Sequence, residues 1–188
     1  MSPLELAAVL LGLVNVALVV RRSIWNYPFG IVMVALYAWI FAEAKLYSDA
    51  LLQLFFLVVQ FYGWWNWLRS RAESGEVVVL TLGWGGRTGW AGGCIAATLG
   101  WGWLMQAYTD AAYPFWDASV AMMSIAAQIL MSRRYLENWW LWILVDLDAI
   151  PLYAAKDLWL TAWLYFIFLA LSVWGLVEWF NVRNRAAG

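Results

Sequence analysis

Long uncharged apolar stretches constrain this sequence more than any other feature. A helix that crosses a bilayer needs roughly 20 mostly apolar residues. Four uncharged stretches of about that length occur, at residues 23–42, 50–68, 88–109 and 158–177. A fifth stretch, residues 3–20, contains Glu5 as its single charged residue. Because backbone polar groups must be satisfied inside a lipid bilayer, these stretches predict membrane-spanning α-helices.

The composition agrees with a membrane protein. Of 188 residues, 65% are hydrophobic and 12% are charged, whereas a soluble domain carries about 25% charged residues. The lipid bilayer is therefore an expected partner. The net charge of −1 predicts no nucleic-acid partner.

The apolar pattern predicts an all-α integral membrane protein with seven transmembrane helices. Each helix takes the chain from one side of the membrane to the other. The predicted helices are residues 4–20, 27–43, 50–68, 89–107, 116–132, 138–155 and 158–180. Between the third and fourth helices, residues 69–88 are predicted to form a polar linker, in which Val77–Leu82 is a short extended piece.

Two parts of the chain match each other at an offset of 112 positions. Residues 1–71 and 113–183 share 14 identities in 71 positions. Shared Leu and Ala carry little weight in so apolar a chain, whereas Arg, Asn, Gly and Trp mark helix ends and turns. The informative pairs are Arg21-Arg22 with Arg133-Arg134, Asn26 with Asn138, Gly63 with Gly175, and Trp67 with Trp179. Internal repeats of this kind are typical of membrane transporters.

The repeat predicts a domain organisation. Residues 1–71 form a first three-helix repeat, residues 72–112 a linker with the central helix 4, and residues 113–183 a second three-helix repeat. Residues 184–188 are then a short cytoplasmic tail. A single helix between the repeats returns the chain to the starting side, so that both copies have the same orientation.

Arginine and lysine predict the orientation. The seven-helix arrangement puts only Lys45 and Lys156 on one side of the membrane. The other side carries nine arginines: Arg21, Arg22, Arg69, Arg71, Arg87, Arg133, Arg134, Arg183 and Arg185. Under the positive-inside rule, this bias places the C-terminus in the cytoplasm and the N-terminus outside.

The sixth helix carries the strongest candidate site. At about 100° per residue, Trp139, Trp142, Asp146 and Tyr153 fall on one face, whereas Asp148 points to the opposite side. Indole rings bind flat aromatic groups and cations, and intramembrane acids are usually functional. This face therefore predicts a site for a cationic heteroaromatic ligand that carries a sugar. Alternatively, Trp139 is an interface anchor, and Asp148 is held by a neighbouring helix or is protonated.

Three further polar residues are candidates for substrate contact. Gln53 and Gln60 lie seven positions apart on one face of the third helix and could line a path. Asp117, at the start of the fifth helix, could guard the outer entrance or simply favour the positive helix N-terminus. Interhelical hydrogen bonding is the alternative role for the two glutamines.

The sequence contains no motif for catalysis. It has no Walker loop, no dinucleotide-binding glycine pattern, no metal-ligand cluster and no histidine. We therefore expect no enzyme, no metal and no cofactor, and the chain has no room for an ATPase domain.

Several segments resemble the PnuC-type vitamin transporters of the bacterial cytoplasmic membrane. They are Trp25–Gly30, Lys45–Tyr47 running into Leu51–Gln53, Tyr62–Trp67, Pro114–Asp117, Ile129–Trp139 and the Trp139-x-x-Trp142-x-x-x-Asp146 pattern. The resemblance covers essentially the whole chain. It implies a 3+1+3 fold similar to SWEET sugar transporters, with Trp139, Trp142 and Asp146 at the ligand.

The resemblance also implies an activity. The expected function is uniport of nicotinamide riboside for NAD biosynthesis, with the substrate trapped by a cytoplasmic kinase; the sequence does not fix the oligomeric state, and the fold allows a homotrimer. The family's nicotinamide riboside carriers tend to have Asn where this chain has Asp146. Thiamine or riboflavin is therefore the alternative substrate. An ion-coupled symporter, in which Asp146 or Asp148 titrates, and a non-transporting membrane receptor are the other hypotheses.

Overall fold

The computed structural model describes residues 3–43 and 47–187. Seven α-helices lie within these residues, which confirms the all-α prediction. They are α1 (Pro3–Val20), α2 (Asn26–Glu43), α3 (Tyr47–Ser74), α4 (Trp84–Tyr108), α5 (Pro114–Ser132), α6 (Asn138–Ala155) and α7 (Trp159–Ala187). Lys45, which the sequence places on the outer side, falls outside the described residues.

Several predicted boundaries were wrong where a helix continues into polar sequence. α3 runs to Ser74, and α4 already begins at Trp84, so the linker is much shorter than residues 69–88. α7 continues to Ala187, through most of the predicted tail. The reason is that an α-helix, once nucleated, extends until a residue stops it, and polarity alone does not. Gly75, with φ of +75°, is such a stop after α3.

Part of the extended piece predicted within the linker is paired with another segment. Leu80 pairs with Tyr135 in an isolated parallel bridge. The Leu136 N–H donates to the Leu80 carbonyl at 2.8 Å. Glu137 fixes the same segment, because one of its carboxylate oxygens accepts from the Leu82 N–H at 3.1 Å and the other from the Arg87 side chain at 2.8 Å.

Four of the helices, α1, α2, α5 and α7, are long and apolar enough to cross a membrane by length and composition. Large apolar side chains are also exposed along the helices: Leu51, Val58, Leu160 and Trp163 are 64–68% exposed. Soluble monomers rarely expose contiguous apolar surface on this scale. Such a surface suits contact with lipid.

The chain forms two compact units. One contains α1, α2 and α3, with residues 132–134 and α7 from Glu178 onward. In this unit α2 packs against both α1 and α3. Three buried rings lie in it: Trp67 contacts Tyr27 edge-on at 5.3 Å and Trp179 at 5.8 Å. The Trp179 indole N–H also donates to the Val19 carbonyl at 3.1 Å.

The second unit contains α4, α5 up to Met131, α6 and α7 up to Val177. Its apolar core is made of Val120 on α5 and of Val145, Ala149 and Leu152 on α6. The core therefore lies along the helix that carries Asp146 and Asp148.

The turns after α1 and α5 have the same geometry. Arg22 and Arg134 both have positive φ, 54° and 66°, and the residue after each donates its N–H five residues back, at 2.9 and 3.0 Å. This is the Schellman arrangement that ends helices, in which glycine is usual. Asn26 and Asn138 then each donate to the carbonyl three residues earlier, at 2.7 and 2.6 Å. The two turns are 112 positions apart, which is the offset between the matching residues of the sequence repeat.

Candidate functional site

Asp146 is enclosed in the second unit. Only 2% of its surface is exposed, and Ser172 of α7 donates its hydroxyl hydrogen to Asp146 Oδ2 at 2.9 Å. Ser172 is itself 3% exposed. A buried carboxylate is costly unless donors or an opposite charge compensate it. Ser172 supplies one donor, and an opposite charge on a ligand would supply further compensation.

Asp148, two residues further on, is held by α5 instead. The Trp116 indole N–H donates to Asp148 Oδ1 at 2.7 Å, and the Ser119 hydroxyl donates to Asp148 Oδ2. Both carboxylate oxygens therefore have a protein donor. A neighbouring helix therefore holds Asp148, as one alternative from the sequence analysis expected. Its carboxylate oxygens have hydrogen-bond donors without a ligand.

Aromatic side chains surround the aliphatic core beside Asp146. Partly buried Trp142 and Tyr153 of α6, Trp116 of α5 and Tyr165 of α7 all pack against it. Tyr153 and Tyr165 are stacked, with their ring centroids 5.2 Å apart and their planes 22° apart. Two of the predicted residues, Trp142 and Tyr153, thus lie on the same packed cluster, and both remain partly accessible to a ligand.

Trp139 has a different environment from Trp142. It is 1% exposed, and its six-membered ring occupies the space that a side chain at position 175 would need. A Cβ built on Gly175 would lie 2.5 Å from two atoms of that ring. Trp139 therefore locks α6 to α7, a packing role that the sequence did not predict. The same contact recurs 112 positions earlier, between Tyr27 and Gly63. A Cβ built on Gly63 would lie 2.6 Å from the Tyr27 hydroxyl oxygen.

Asp117 forms an ion pair. It lies in the first turn of α5 and accepts a hydrogen bond from the Lys156 ammonium group at the end of α6. The pair joins these two helix ends in addition to any interaction of Asp117 with the helix N-terminus. Both side chains of the pair are partly exposed.

Gln53 and Gln60 lie on α3, in the first unit. Gln60 is 2% exposed and lies beside Gly30, where a Cβ would approach its side-chain nitrogen to 2.6 Å. The Asn15 side chain also borders Gly30 and donates to the Asn26 carbonyl at 2.6 Å. Gln60 thus belongs to a tight polar contact among α1, α2 and α3, and Gln53 is only partly buried.

Sequence reasoning did not single out Ser172, Ser119, Trp116 or Tyr165 as site residues. One signal was available for Ser172, because it lies 112 positions after Gln60 and both are polar in apolar helices. For the other three, the sequence shows small or aromatic residues like many others in this chain. Their importance depends on which residues of α6 they face.

A cavity of about 490 Å³ lies between α4 and α5. It is lined by glycines and apolar side chains, among them Gly89, Trp90 and Met122. None of the predicted site residues borders it. Because it lacks polar groups that would orient a ligand, the face of α6 with its acid and its rings is the better candidate site. No group of three or more metal-ligating side chains occurs in residues 3–43 and 47–187.

Comparison with known proteins identifies the family. The family model for the nicotinamide mononucleotide transporters matches residues 2–181. The nicotinamide riboside transporter PnuC of Escherichia coli K12 is 28% identical, over 100% of this chain and 89% of the relative. The riboflavin/roseoflavin transporter RibM of Streptomyces davaonensis is 31% identical, over 94% of this chain and 83% of the relative.

A solved structure has the same fold. The crystal structure of the vitamin B3 transporter PnuC superposes with a TM-score of 0.78 at 29% identity, over 97% of this chain and 82% of that chain. These relatives are membrane transporters of vitamins, and this chain has several helices apolar enough to span a bilayer. The chain therefore belongs to the nicotinamide mononucleotide transporter family and is a multi-pass protein of the bacterial inner membrane.

Proposed function

We propose that this protein carries nicotinamide riboside across the inner membrane by facilitated diffusion, to supply NAD biosynthesis. The observation that carries this proposal is the buried carboxylate of Asp146, held by Ser172 beside a cluster of aromatic rings. Nicotinamide riboside combines a cationic aromatic ring with ribose hydroxyls. A carboxylate balances the charge or accepts from hydroxyls, and rings such as Trp142 and Tyr153 stack on the flat cation.

The remaining predicted residues take supporting roles in this proposal. Trp139 holds the end of α6 against α7 and so fixes the direction of Trp142 and Asp146. Asp117 and its partner Lys156 guard the outer entrance. The partly buried Gln53 lines a path along α3, and Gln60 holds α3 against Gly30 of α2.

The proposed architecture is two parallel three-helix repeats joined by α4, similar to the SWEET transporters, with the N-terminus outside. The matched Schellman turns at Arg22 and Arg134 support it, as do the matched contacts of Gly63 with Tyr27 and of Gly175 with Trp139. A homotrimer is compatible with this fold, and a cytoplasmic kinase would trap the imported substrate.

Riboflavin is the second candidate substrate, because RibM, a riboflavin/roseoflavin transporter, is 31% identical to this chain. The two vitamins differ in charge at the aromatic ring. A flavin ring is uncharged and would draw less benefit from the Asp146 carboxylate. Thiamine is cationic, like nicotinamide riboside, and must be included in the same comparison.

Transport into proteoliposomes tests the function and the mechanism together. We expect uptake of labelled nicotinamide riboside without ATP and without any ion gradient, and we expect counterflow to accelerate it. Unlabelled riboflavin and thiamine, added as competitors, measure the substrate preference. Uptake that collapses when a proton or sodium gradient is removed would exclude uniport and favour a symporter in which Asp146 or Asp148 titrates.

A further inference from the structure

A second pocket, unrelated to the face of α6, lies in the first unit at the ends of α1 and α3. It has a volume of about 230 Å³ and is lined by Arg21, Arg22, Arg71 and the segment Gly75–Val77. This volume is enough for about seven water molecules at liquid density, and so for a phosphate group with part of its hydration shell. The transport proposal assigns no role to this pocket.

The pocket wall is held in place by specific contacts. Gly75 has φ of +75° and turns the chain after α3, so that the following residues run alongside Ser70. The Ser70 hydroxyl donates to the Glu76 carbonyl at 3.3 Å and accepts from the Val78 N–H at 3.1 Å. Val77 is 4% exposed. The segment is therefore fixed, and the pocket does not depend on a loosely held strand.

The pocket is lined by more positive than negative side chains. Arg22 donates to the Glu76 carboxylate at 3.2 Å and to the Val77 carbonyl at 2.7 Å, so Glu76 is already neutralised by an arginine fixed in the wall. Arg21 and Arg71 make no ion pair within the described part of the chain. Two guanidinium groups therefore remain uncompensated at one small pocket, which favours a divalent or strongly anionic ligand.

The position of the pocket along α1 indicates the source of that anion. The 18 mostly apolar residues of α1, which include Glu5 and Asn15, extend about 27 Å at about 1.5 Å per residue, close to the roughly 30 Å hydrocarbon core. Arg21 and Arg22 follow this helix directly. The pocket thus lies at the depth of the lipid headgroups, where anionic phospholipids attract basic side chains.

We propose that Arg21, Arg22 and Arg71 form a phosphate-binding site for the headgroup of an anionic membrane lipid. Arg22 is the fixed member, held by Glu76 and Val77. Arg21 and Arg71 close on the phosphate oxygens from α1 and α3. A bound lipid would stabilise the first unit by joining the ends of these two helices.

The repeat provides a matched control for the experiment. Arg133 and Arg183 lie 112 positions after Arg21 and Arg71, and they are equally exposed at helix ends, but they do not line this pocket. The double variants R21Q/R71Q and R133Q/R183Q therefore remove the same charge from comparable positions. The melting temperature of each variant without added lipid checks that the protein is folded.

Native mass spectrometry of the detergent-purified protein measures retention of phosphatidylglycerol, with phosphatidylcholine as the zwitterionic comparison. We expect wild-type protein and R133Q/R183Q to retain phosphatidylglycerol selectively. We expect R21Q/R71Q to bind it about 25-fold more weakly, at about fivefold for each lost arginine. The same variant should lose the rise in melting temperature that phosphatidylglycerol gives the wild type.

Two results would overturn the proposal. An equal loss of lipid in both double variants would show that general positive charge, and not this pocket, attracts the lipid. Binding of inorganic phosphate to the pocket in a protein that does not retain phosphatidylglycerol would exclude the lipid as its occupant.

Discussion

Asp146 and Asp148 lie two residues apart on α6, but their surroundings differ. Asp148 is bound through both oxygens by side chains of α5, whereas Asp146 has a single serine donor from α7. The first is a satisfied structural acid. The second has remaining capacity to accept hydrogen bonds, as a ligand-binding acid requires.

This difference predicts the effect of two amide substitutions. We expect Asp146→Asn to weaken nicotinamide riboside binding by about 10- to 100-fold, because a bond to a charged acceptor is worth about 1.5–3 kcal/mol. Asp148→Asn should change binding less than about threefold and lower the melting temperature instead. Titration calorimetry and thermal unfolding in detergent measure both effects. Equal loss of binding in the two variants would contradict the assignment of the ligand to Asp146.

The Asp146→Asn variant also separates the candidate substrates. If the acid balances a positive ring, the substitution weakens nicotinamide riboside and thiamine more than riboflavin, whose ring is neutral. A uniform loss for all three vitamins would indicate that Asp146 binds a shared hydroxyl group instead.

Trp142 is the indole that remains partly accessible beside Asp146. We expect Trp142→Ala to weaken nicotinamide riboside binding by about 2- to 30-fold, from a cation–π contact of about 0.5–2 kcal/mol. Trp101→Ala, which removes a 43% exposed indole from α4, should have no effect on the dissociation constant. Trp142→Phe keeps a ring and should retain most of the affinity. If Trp101→Ala weakened binding as much as Trp142→Ala, Trp142 would not be a ligand contact.

At the scale of the helices, close packing depends on glycines that face large rings. Gly175 faces Trp139 in the second unit, and Gly63 faces Tyr27 in the first. Neither ring can yield, because both are at most 1% exposed. These contacts set how closely α6 approaches α7 and how closely α2 approaches α3.

Substitution of these glycines should therefore lower stability. We expect Gly175→Ala and Gly63→Ala each to cost about 1–3 kcal/mol, the usual cost of overpacking. Gly92→Ala on α4, where a Cβ meets nothing within 4 Å, should be neutral or slightly stabilising, because alanine favours the helix. Thermal unfolding in one detergent compares the three variants. No fall in melting temperature for Gly175→Ala would mean that the interface between α6 and α7 is loosely packed.

Helix positions could largely be predicted from the sequence. The predicted range of α6, residues 138–155, agrees with the structure, because Asn138 begins the helix after a turn and the segment stays mostly apolar up to Ala155, despite its two aspartates and Pro151. The start of α4 could not be predicted in the same way. Its first turns contain Gly85, Gly86 and Arg87, which weaken any apolar pattern, although the backbone is helical there.

At the scale of the whole molecule, the charge bias predicts the orientation in the membrane, and this prediction can be tested. Single cysteines can be introduced as Asp110→Cys or Ala186→Cys in a variant whose own cysteine is removed by Cys94→Ser. Asp110 follows α4, Ala186 lies near the end of α7, and both positions are exposed. A membrane-impermeant maleimide should label Asp110→Cys in intact cells. It should label Ala186→Cys only after the membrane is permeabilised. The reverse pattern would place the C-terminus outside and exclude the predicted orientation.

The sequence by itself determined that this is a membrane protein with seven helices, and it located the acids and rings of α6. Those properties depend on local composition and on helical periodicity, which a linear chain displays directly. The tertiary structure decided that Ser172 holds Asp146, that α5 satisfies Asp148, that Trp139 is enclosed, and that Arg21 and Arg71 share a pocket. Periodicity gives the direction of a side chain, but its partner depends on which residue a neighbouring helix places opposite it.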